Sequence, residues 1–301
     1  MDPIGFINLN KPTGITSHGA AQKIRKIVGL RRVGHSGTLD PMASGVLVIA
    51  VGKATKLVEF LRKDDKTYEA VIRLGVTSDT YDATGQITET PPPVPMPSGG
   101  QVNSVLQQFT GEFEQMPPKY SAIKVQGKPA HRRMRQGEDV ELEPRPVNIY
   151  ETKLVEYNFP LISITVKCSA GTYIRSLAHD IGERLKTGAV LEALHRTQAG
   201  DFSINNSVEL DSLSPENWSE HILPTTVGLT HLAKHVVNEE DAKRIPSGIK
   251  IKVDADLPTD KPIAILAPDK KTVLAVGEYL ADEKVLKPTK VLAESGSNSI
   301  D

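Results

Sequence analysis

Residues 34–45 read Gly34-His35-Ser36-Gly37-Thr38-Leu39-Asp40-Pro41-Met42-Ala43-Ser44-Gly45 and run directly into the apolar stretch Val46-Leu47-Val48-Ile49-Ala50-Val51. Six apolar residues in a row, entered from a glycine-rich segment, read as a buried strand. Glycines at 34, 37 and 45 permit tight turns and close approach of a ligand to the backbone. Pro41 biases Asp40 away from the α region and towards an extended conformation. The carboxylate is therefore expected on a stiff loop at the mouth of a buried strand. An isolated Asp-Pro beside glycine would be ordinary turn chemistry. It is the whole twelve-residue string that singles this loop out.

Helices and strands are interleaved along the rest of the chain. Ile4 to Leu9 reads as a short strand, and Thr16 or Ser17 is a suitable N-cap for a helix to about Val28. A short helix is expected over Ala54 to Leu61. Thr67 to Leu74 alternates, with Tyr68, Ala70, Ile72 and Leu74 on one face. Pro91 to Gly100 is proline-rich and reads as a stiff surface connection, followed by a helix at about 101–110. Residues 126–146 are polar, basic and without apolar periodicity, as expected of an exposed segment. Ile162–Cys168 is a further strand. Thr172 is a candidate cap for a helix whose stripe is Ile174, Leu177, Ala178, Ile181 and Leu185. From about residue 235 the texture changes to short β-rich segments, Ile249–Val253, Ile263–Leu266 and Val273–Glu278. The mixture predicts an α+β fold, and residues 294–301 read as a polar, flexible tail.

Composition narrows the function classes. With 301 residues the chain suffices for one large and one small domain. A single cysteine, Cys168, excludes an internal disulfide and a multi-cysteine zinc site, which points to a reducing cytoplasm. No signal-peptide pattern or membrane-length apolar run is present, so no membrane partner is expected. The net charge of −1 does not by itself point to nucleic acid. The charge is uneven, however: residues 1–60 hold eight Lys/Arg against three acids. A second basic cluster, Lys119, Lys124, Lys128, Arg132, Arg133 and Arg135, surrounds Tyr120. By themselves such clusters are usually just solvated faces; beside the motifs described next, a surface that follows phosphates becomes the better reading.

Five segments, in order, carry a resemblance. The Gly34–Gly45 string resembles the catalytic motif of the TruB pseudouridine synthases, in which the aspartate is essential. Asn10-Lys11-Pro12-Thr13-Gly14-Ile15-Thr16-Ser17 resembles the first motif of that family. Lys66-Thr67-Tyr68-Glu69-Ala70 resembles the strand bearing its active-site tyrosine. Pro117-Pro118-Lys119-Tyr120-Ser121-Ala122-Ile123-Lys124 and Gly171-Thr172-Tyr173-Ile174-Arg175-Ser176-Leu177 complete the set. The resemblance covers roughly residues 4 to 232. It implies a catalytic domain over residues 1–232 built on a mixed, largely antiparallel sheet, with an RNA-clasping insertion at about 119–150. It also implies a small PUA-like β-barrel domain over 233–293. His131 stands where the family commonly has tyrosine, and the C-terminal domain is short.

By resemblance, the reaction is isomerisation of the T-loop uridine of tRNA, position 55, to pseudouridine. A single carboxylate, Asp40, would act on the sugar either by attack at C1′ or by removal of the 2′ proton. No metal or cofactor is demanded. Arg175, in the first turn of its helix where a cation is mildly disfavoured, is the expected partner holding Asp40 ionised. Tyr68 would stack on the base and assist the final proton removal. Tyr173 and Leu194 would complete the apolar pocket, and His35 would fill the gap left by the flipped base. Lys11 is a structural or phosphate contact. The expected partner is the T arm of tRNA, bound by a monomer. Two other readings stay open: a guide-RNA-dependent, dyskerin-like synthase, and a non-catalytic RNA-binding protein on the same scaffold. A glycoside hydrolase would need a second acid in a comparable loop, and the sequence shows none.

Overall fold

The computed structural model describes residues 3–91, 93, 95–121, 124–125, 128–129 and 142–293. Most of the 126–146 segment, with His131, lies outside the described residues, as does the 294–301 tail. The fold is α+β and centres on a ten-stranded sheet. Its main path runs Val208–Glu209, Gly5–Lys11, Ser44–Val51, Ala189–Ala199, Lys66–Leu74, Leu161–Cys168, Arg145–Asn158 and Gly111–Gln115. Val33–Ser36 and Phe202–Ser203 pair beside it. Every pairing in this sheet is antiparallel except two short parallel contacts. One of these, His195 opposite Ser44 and Arg196 opposite Gly45, joins the two halves of the sheet.

That junction explains the uninterrupted apolar run. Leu47, Ile49 and Val51 enter the large core beneath the helices Ser17–Val28 and Ile174–Leu185. Val46, Val48 and Ala50 enter a second cluster on the opposite face. A strand covered on both sides has no polar face to show, so alternation disappears. The Lys66–Leu74 strand shows the alternation expected of it: Tyr68, Ala70, Ile72 and Leu74 are in the large core, and Glu69 is exposed.

The C-terminal segment forms a five-stranded sheet, curled like half a barrel. Its order is Ala233–Val236, Ile263–Leu266, Val273–Leu280, Val285–Val291 and Ile251–Lys252. Ala264, Leu266, Val273, Val276 and Leu292 share the cluster of Phe6, Val46 and Val48, so this sheet is apolar-welded to the back of the central one. Ile263, Ile265, Ala275, Tyr279 and Leu286 fill a smaller core on its other face.

Local differences from expectation have local causes. The helix expected at 101–110 spans Gly99–Gln107, because Ser98 and Gln101 form a capping box that starts it earlier. The expected helix over 54–61 is a 3₁₀ turn, Gly52–Leu57, leading into a single α turn, Val58–Leu61. Thr172 does not cap the Ile174–Leu185 helix. Its hydroxyl donates to Ser169 O at 3.0 Å, and Tyr173 occupies the N-cap position without a side-chain cap bond.

Candidate active site

The Asp40 loop is pinned on both sides of its carboxylate. Ser17, the first residue of the Ser17–Val28 helix, accepts from Leu39 N at 2.8 Å and donates to Leu39 O at 3.0 Å. On the other side Gly14 N donates to Pro41 O at 2.7 Å. Gly45 closes the loop with φ +101° and lies against the backbone of Arg196. The motif string and the first motif thus meet in space through the Ser17 hydroxyl and the Gly14–Pro41 main-chain bond, and Asp40 projects from a braced turn.

Arg175 presents a fork to that carboxylate. Its Nε lies 2.9 Å from Asp40 Oδ2, and Nη2 donates to Oδ1 at 3.3 Å. Nη2 also donates to Tyr120 O at 3.2 Å, and Nη1 to Thr80 O at 3.3 Å. The arginine is aimed by its helix start: Tyr173 N donates to Gln115 Oε1 at 2.8 Å, and Gln115 Nε2 returns a bond to Tyr173 O at 3.0 Å. A planar guanidinium with several fixed acceptors cannot rotate freely, so the carboxylate direction is set as well.

A second acid stands behind the arginine. Asp82 Oδ2 lies 3.5 Å from Arg175 Nη1. Its Oδ1 accepts from Thr80 Oγ1 at 2.8 Å, Thr84 N at 2.9 Å and Thr84 Oγ1 at 2.6 Å. The side chains of Arg175 and Asp82 are 7% and 5% exposed, whereas that of Asp40 is 34% exposed. One end of the acid–guanidinium–acid row faces solvent and the other is sealed, so Asp82 can only orient Arg175. Asp82 was not singled out in the sequence, and it is not a second acid in a loop comparable to that of Asp40. Its signal was present in Thr80-Tyr81-Asp82-Ala83-Thr84-Gly85, which reads as an Asx turn and gives no hint of Arg175.

The charge balance also differs from expectation. Removal from water is the largest influence on Asp40 and pushes its pKa above the usual carboxylate value, with Asp82 adding to the rise. Arg175 and Lys11 oppose this without reversing it. The guanidinium therefore limits the rise instead of producing a depressed carboxylate. Lys11 is fully buried, with Nζ donating to Pro12 O and Ile15 O at 2.8 Å each, so it braces the turn after the first strand. Burial lowers its pKa to about 8.

Tyr68 is buried in the large core with Leu39, Ala43, Ile174 and Leu194. Leu194 pairs with Ala70 across the adjoining strand, two residues from the Tyr68–Arg196 pair. Tyr173 is half-buried, and burial raises its hydroxyl pKa while Ser121 and Arg175 lower it. Asp40, Arg175, Tyr68, Leu194, Tyr173 and Lys11 are thus gathered around the sheet junction. His35 lies on the neighbouring Val33–Ser36 strand, opposite Ile49, and its Nδ1 is buried without a partner. Burial and the Arg62 charge lower its pKa, favouring the neutral ring. Sequence reading missed Arg196, which is almost wholly buried; no motif quoted above contains it. Among the described residues no three His, Cys, Asp or Glu side chains converge as a metal site, and no helix is long and apolar enough to cross a membrane.

Comparison with known proteins agrees with this geometry. Residues 25–174 match the model of the TruB family pseudouridylate synthase N-terminal domain. Residues 175–241 match that of the tRNA pseudouridylate synthase B C-terminal domain. The tRNA pseudouridine synthase B of Clostridium novyi is 38% identical over 96% of this chain and 99% of its own length. The same enzyme of Clostridium tetani is 41% identical over 82% of this chain and 86% of its own. A chain of the archaeal box H/ACA sRNP Nop10-Cbf5 complex superposes with a TM-score of 0.72 at 26% identity, covering 97% of this chain and 86% of that one. A chain of an H/ACA RNP bound to a substrate RNA containing 2′-deoxyuridine gives 0.74, again at 26% identity, with 97% and 86% covered. With two family models spanning most of its length, and its Gly34–Gly45 motif folded around an arginine-held aspartate, the chain belongs to the TruB family of pseudouridine synthases.

Proposed function

We propose that this chain isomerises the T-loop uridine of tRNA, position 55, to pseudouridine, acting as a cytoplasmic monomer and without a cofactor. The observation that carries the reading is the exposure gradient along the charge row. Asp40 alone reaches solvent, at 34% side-chain exposure, from a row otherwise buried. Mere RNA binding gains nothing from one partly desolvated carboxylate held by an oriented fork. A carboxylate that must meet the ribose, either at C1′ or at the 2′ proton, needs that arrangement.

The target base has to leave its stack to reach Asp40, at a cost of a few kcal/mol. Tyr68, Leu194 and Tyr173 supply the apolar wall that receives it, with Tyr68 placed to stack and to take part in the last proton removal. His35, neutral and planar, suits the vacated position in the RNA. Residues 1–232 carry this chemistry, and the sheet over 233–293 serves as a PUA-like RNA-binding unit. A concavity of about 560 Å³ is lined by the exposed Arg31 and Arg32, with the half-buried Lys53 bonded to Ala293 O at its edge; the two exposed arginines beside a hollow suit phosphates. The likeness to H/ACA chains favours a guide-dependent alternative, but that identity is 26% against 38–41% for the stand-alone relatives.

The test uses an unmodified T-arm RNA with no guide RNA, followed by nucleoside analysis. Pseudouridine is expected with the unsubstituted protein. Asp40→Asn is expected to bind within about tenfold, roughly 1.4 kcal/mol, and to form none. A requirement for guide RNA, or full activity of Asp40→Asn, would overturn the reading.

A further inference from the structure

We propose that Arg196 is a positioning residue, one guanidinium that ties both ends of the Asp40 loop to each other beside its cross-strand partner Tyr68. This rests on the reading above, in which Asp40 and Tyr68 face the flipped nucleotide.

The residue is 1% exposed and is the largest fully buried side chain described. Its Nε donates to Val46 O at 2.7 Å, and Nη2 reaches Gly37 O at 3.5 Å. Val46 and Gly37 flank Asp40, one on each side, so a single planar group spans the base of the catalytic loop. Tyr68 is the direct cross-strand partner of Arg196, and the guanidinium charge opposes the rise that burial imposes on the Tyr68 hydroxyl. Register brings the two together. Arg196 stands between Gly45 on one neighbouring strand and Tyr68 on the other, and directly paired residues share a face of a sheet.

Stability does not explain an arginine at this place. Among the described residues no carboxylate lies within ion-pair distance of it; its two backbone acceptors are carbonyls. Lys11 and Lys66 are buried nearby, and each has its pKa lowered to about 8 by burial together with the Arg196 charge. A buried cation without an anion, beside two others, is costly, and a well-packed apolar side chain commonly serves a fold better. What the guanidinium supplies is direction. Arginine has donors only, so a bond between the two is one that the Tyr68 oxygen accepts, with the phenolic proton turned away from Arg196. The same planar group fixes how far the Asp40 turn stands from the tyrosine ring.

The test is a double-substitution cycle in the full chain with T-arm RNA, reading single-turnover rate and affinity separately. Arg196→Lys keeps a charge but lacks the fork. We expect it to lower the rate by at least about tenfold with affinity within about threefold. In a Tyr68→Phe background the same change should cost at least about threefold less, because part of its effect runs through the hydroxyl. Equal losses in both backgrounds, or a normal rate for Arg196→Lys, would overturn the proposal. Should Arg196→Lys fail to fold, amide hydrogen exchange in Tyr68→Phe replaces it. Exchange at residues 37–46 is expected to rise, and unchanged protection would overturn the coupling. A wild-type rate for Tyr68→Phe, or full activity of Asp40→Asn, would instead remove the functional reading beneath it.

Discussion

Replacing Gly45 by alanine tests how tightly the Asp40 loop is fitted to the sheet. A Cβ at this position would lie 2.2 Å from Arg196 O and 2.7 Å from Arg196 N, and φ there is +101°. Two penalties add. A left-handed backbone costs an ordinary residue roughly 1–2 kcal/mol. Overpacking costs typically 1–3 kcal/mol, and here it falls on paired backbone that no rotamer change can move. The expected loss is about 2–5 kcal/mol, offset by the few tenths to 1 kcal/mol that alanine withdraws from the unfolded chain. At roughly 2–4 °C per kcal/mol for a large domain, the midpoint should fall by several degrees at least. Gly14→Ala is the internal control: φ is +81°, but nothing lies within 4 Å of the added carbon. It should lose only the backbone term. The assay is thermal unfolding of both variants, with pseudouridine formation measured well below either midpoint. Gly45→Ala should also slow the reaction while folded, because relief of the clash separates Ser44–Val51 from Ala189–Ala199 and carries Asp40 with it. Identical midpoints for the two variants would refute the reasoning.

Two further outcomes follow from the charge row. Asp82→Asn keeps the shape of the hydroxyl-bound turn but removes the charge behind Arg175; the rate should fall by about tenfold or more with RNA affinity unchanged, and an unaltered rate would leave Asp82 a turn residue only. The acid limb of kcat/KM should lie above the ordinary carboxylate value of 3.8, because burial outweighs Arg175 at Asp40. The sign carries over to stability. A carboxyl whose folded pKa is raised contributes stability that is fully present below 3.8 and lost as pH rises through the folded value. A pH–rate profile with its limb at or below 3.8 would contradict the burial argument.

The strands and helices that form the face of the core were readable because each obeys one period. The stripe Ile174, Leu177, Ala178, Ile181 and Leu185 is buried as helical spacing demands, and Tyr68 to Leu74 alternates as a one-sided strand must. Boundaries were less readable where a short polar contact decides them: the Ser98–Gln101 capping box starts one helix two residues early, and Thr172 turns its hydroxyl to Ser169 O instead of capping Ile174–Leu185. Of the residues set around the loop, Asp40 and Arg175 stood in motifs, whereas Asp82 and Arg196 did not. Asp82 looks like any aspartate of a threonine-rich turn, and Arg196 occupies a strand where a buried cation is against the rule.

By itself the sequence determined that a rigid glycine-bounded loop presents Asp40 at the start of a strand buried on both faces, since local sterics and apolar patterning suffice for both. It also determined the family, through five motifs in order. Only the tertiary structure decided which groups surround that aspartate. Arg175 is 135 residues away along the chain and Arg196 reaches the loop across 150. Distances of that kind are set by strand register and sheet order, and no local preference encodes them. The carboxylate's protonation was decided there too, because it depends on how much water the assembled walls exclude, set against the charges they bring near.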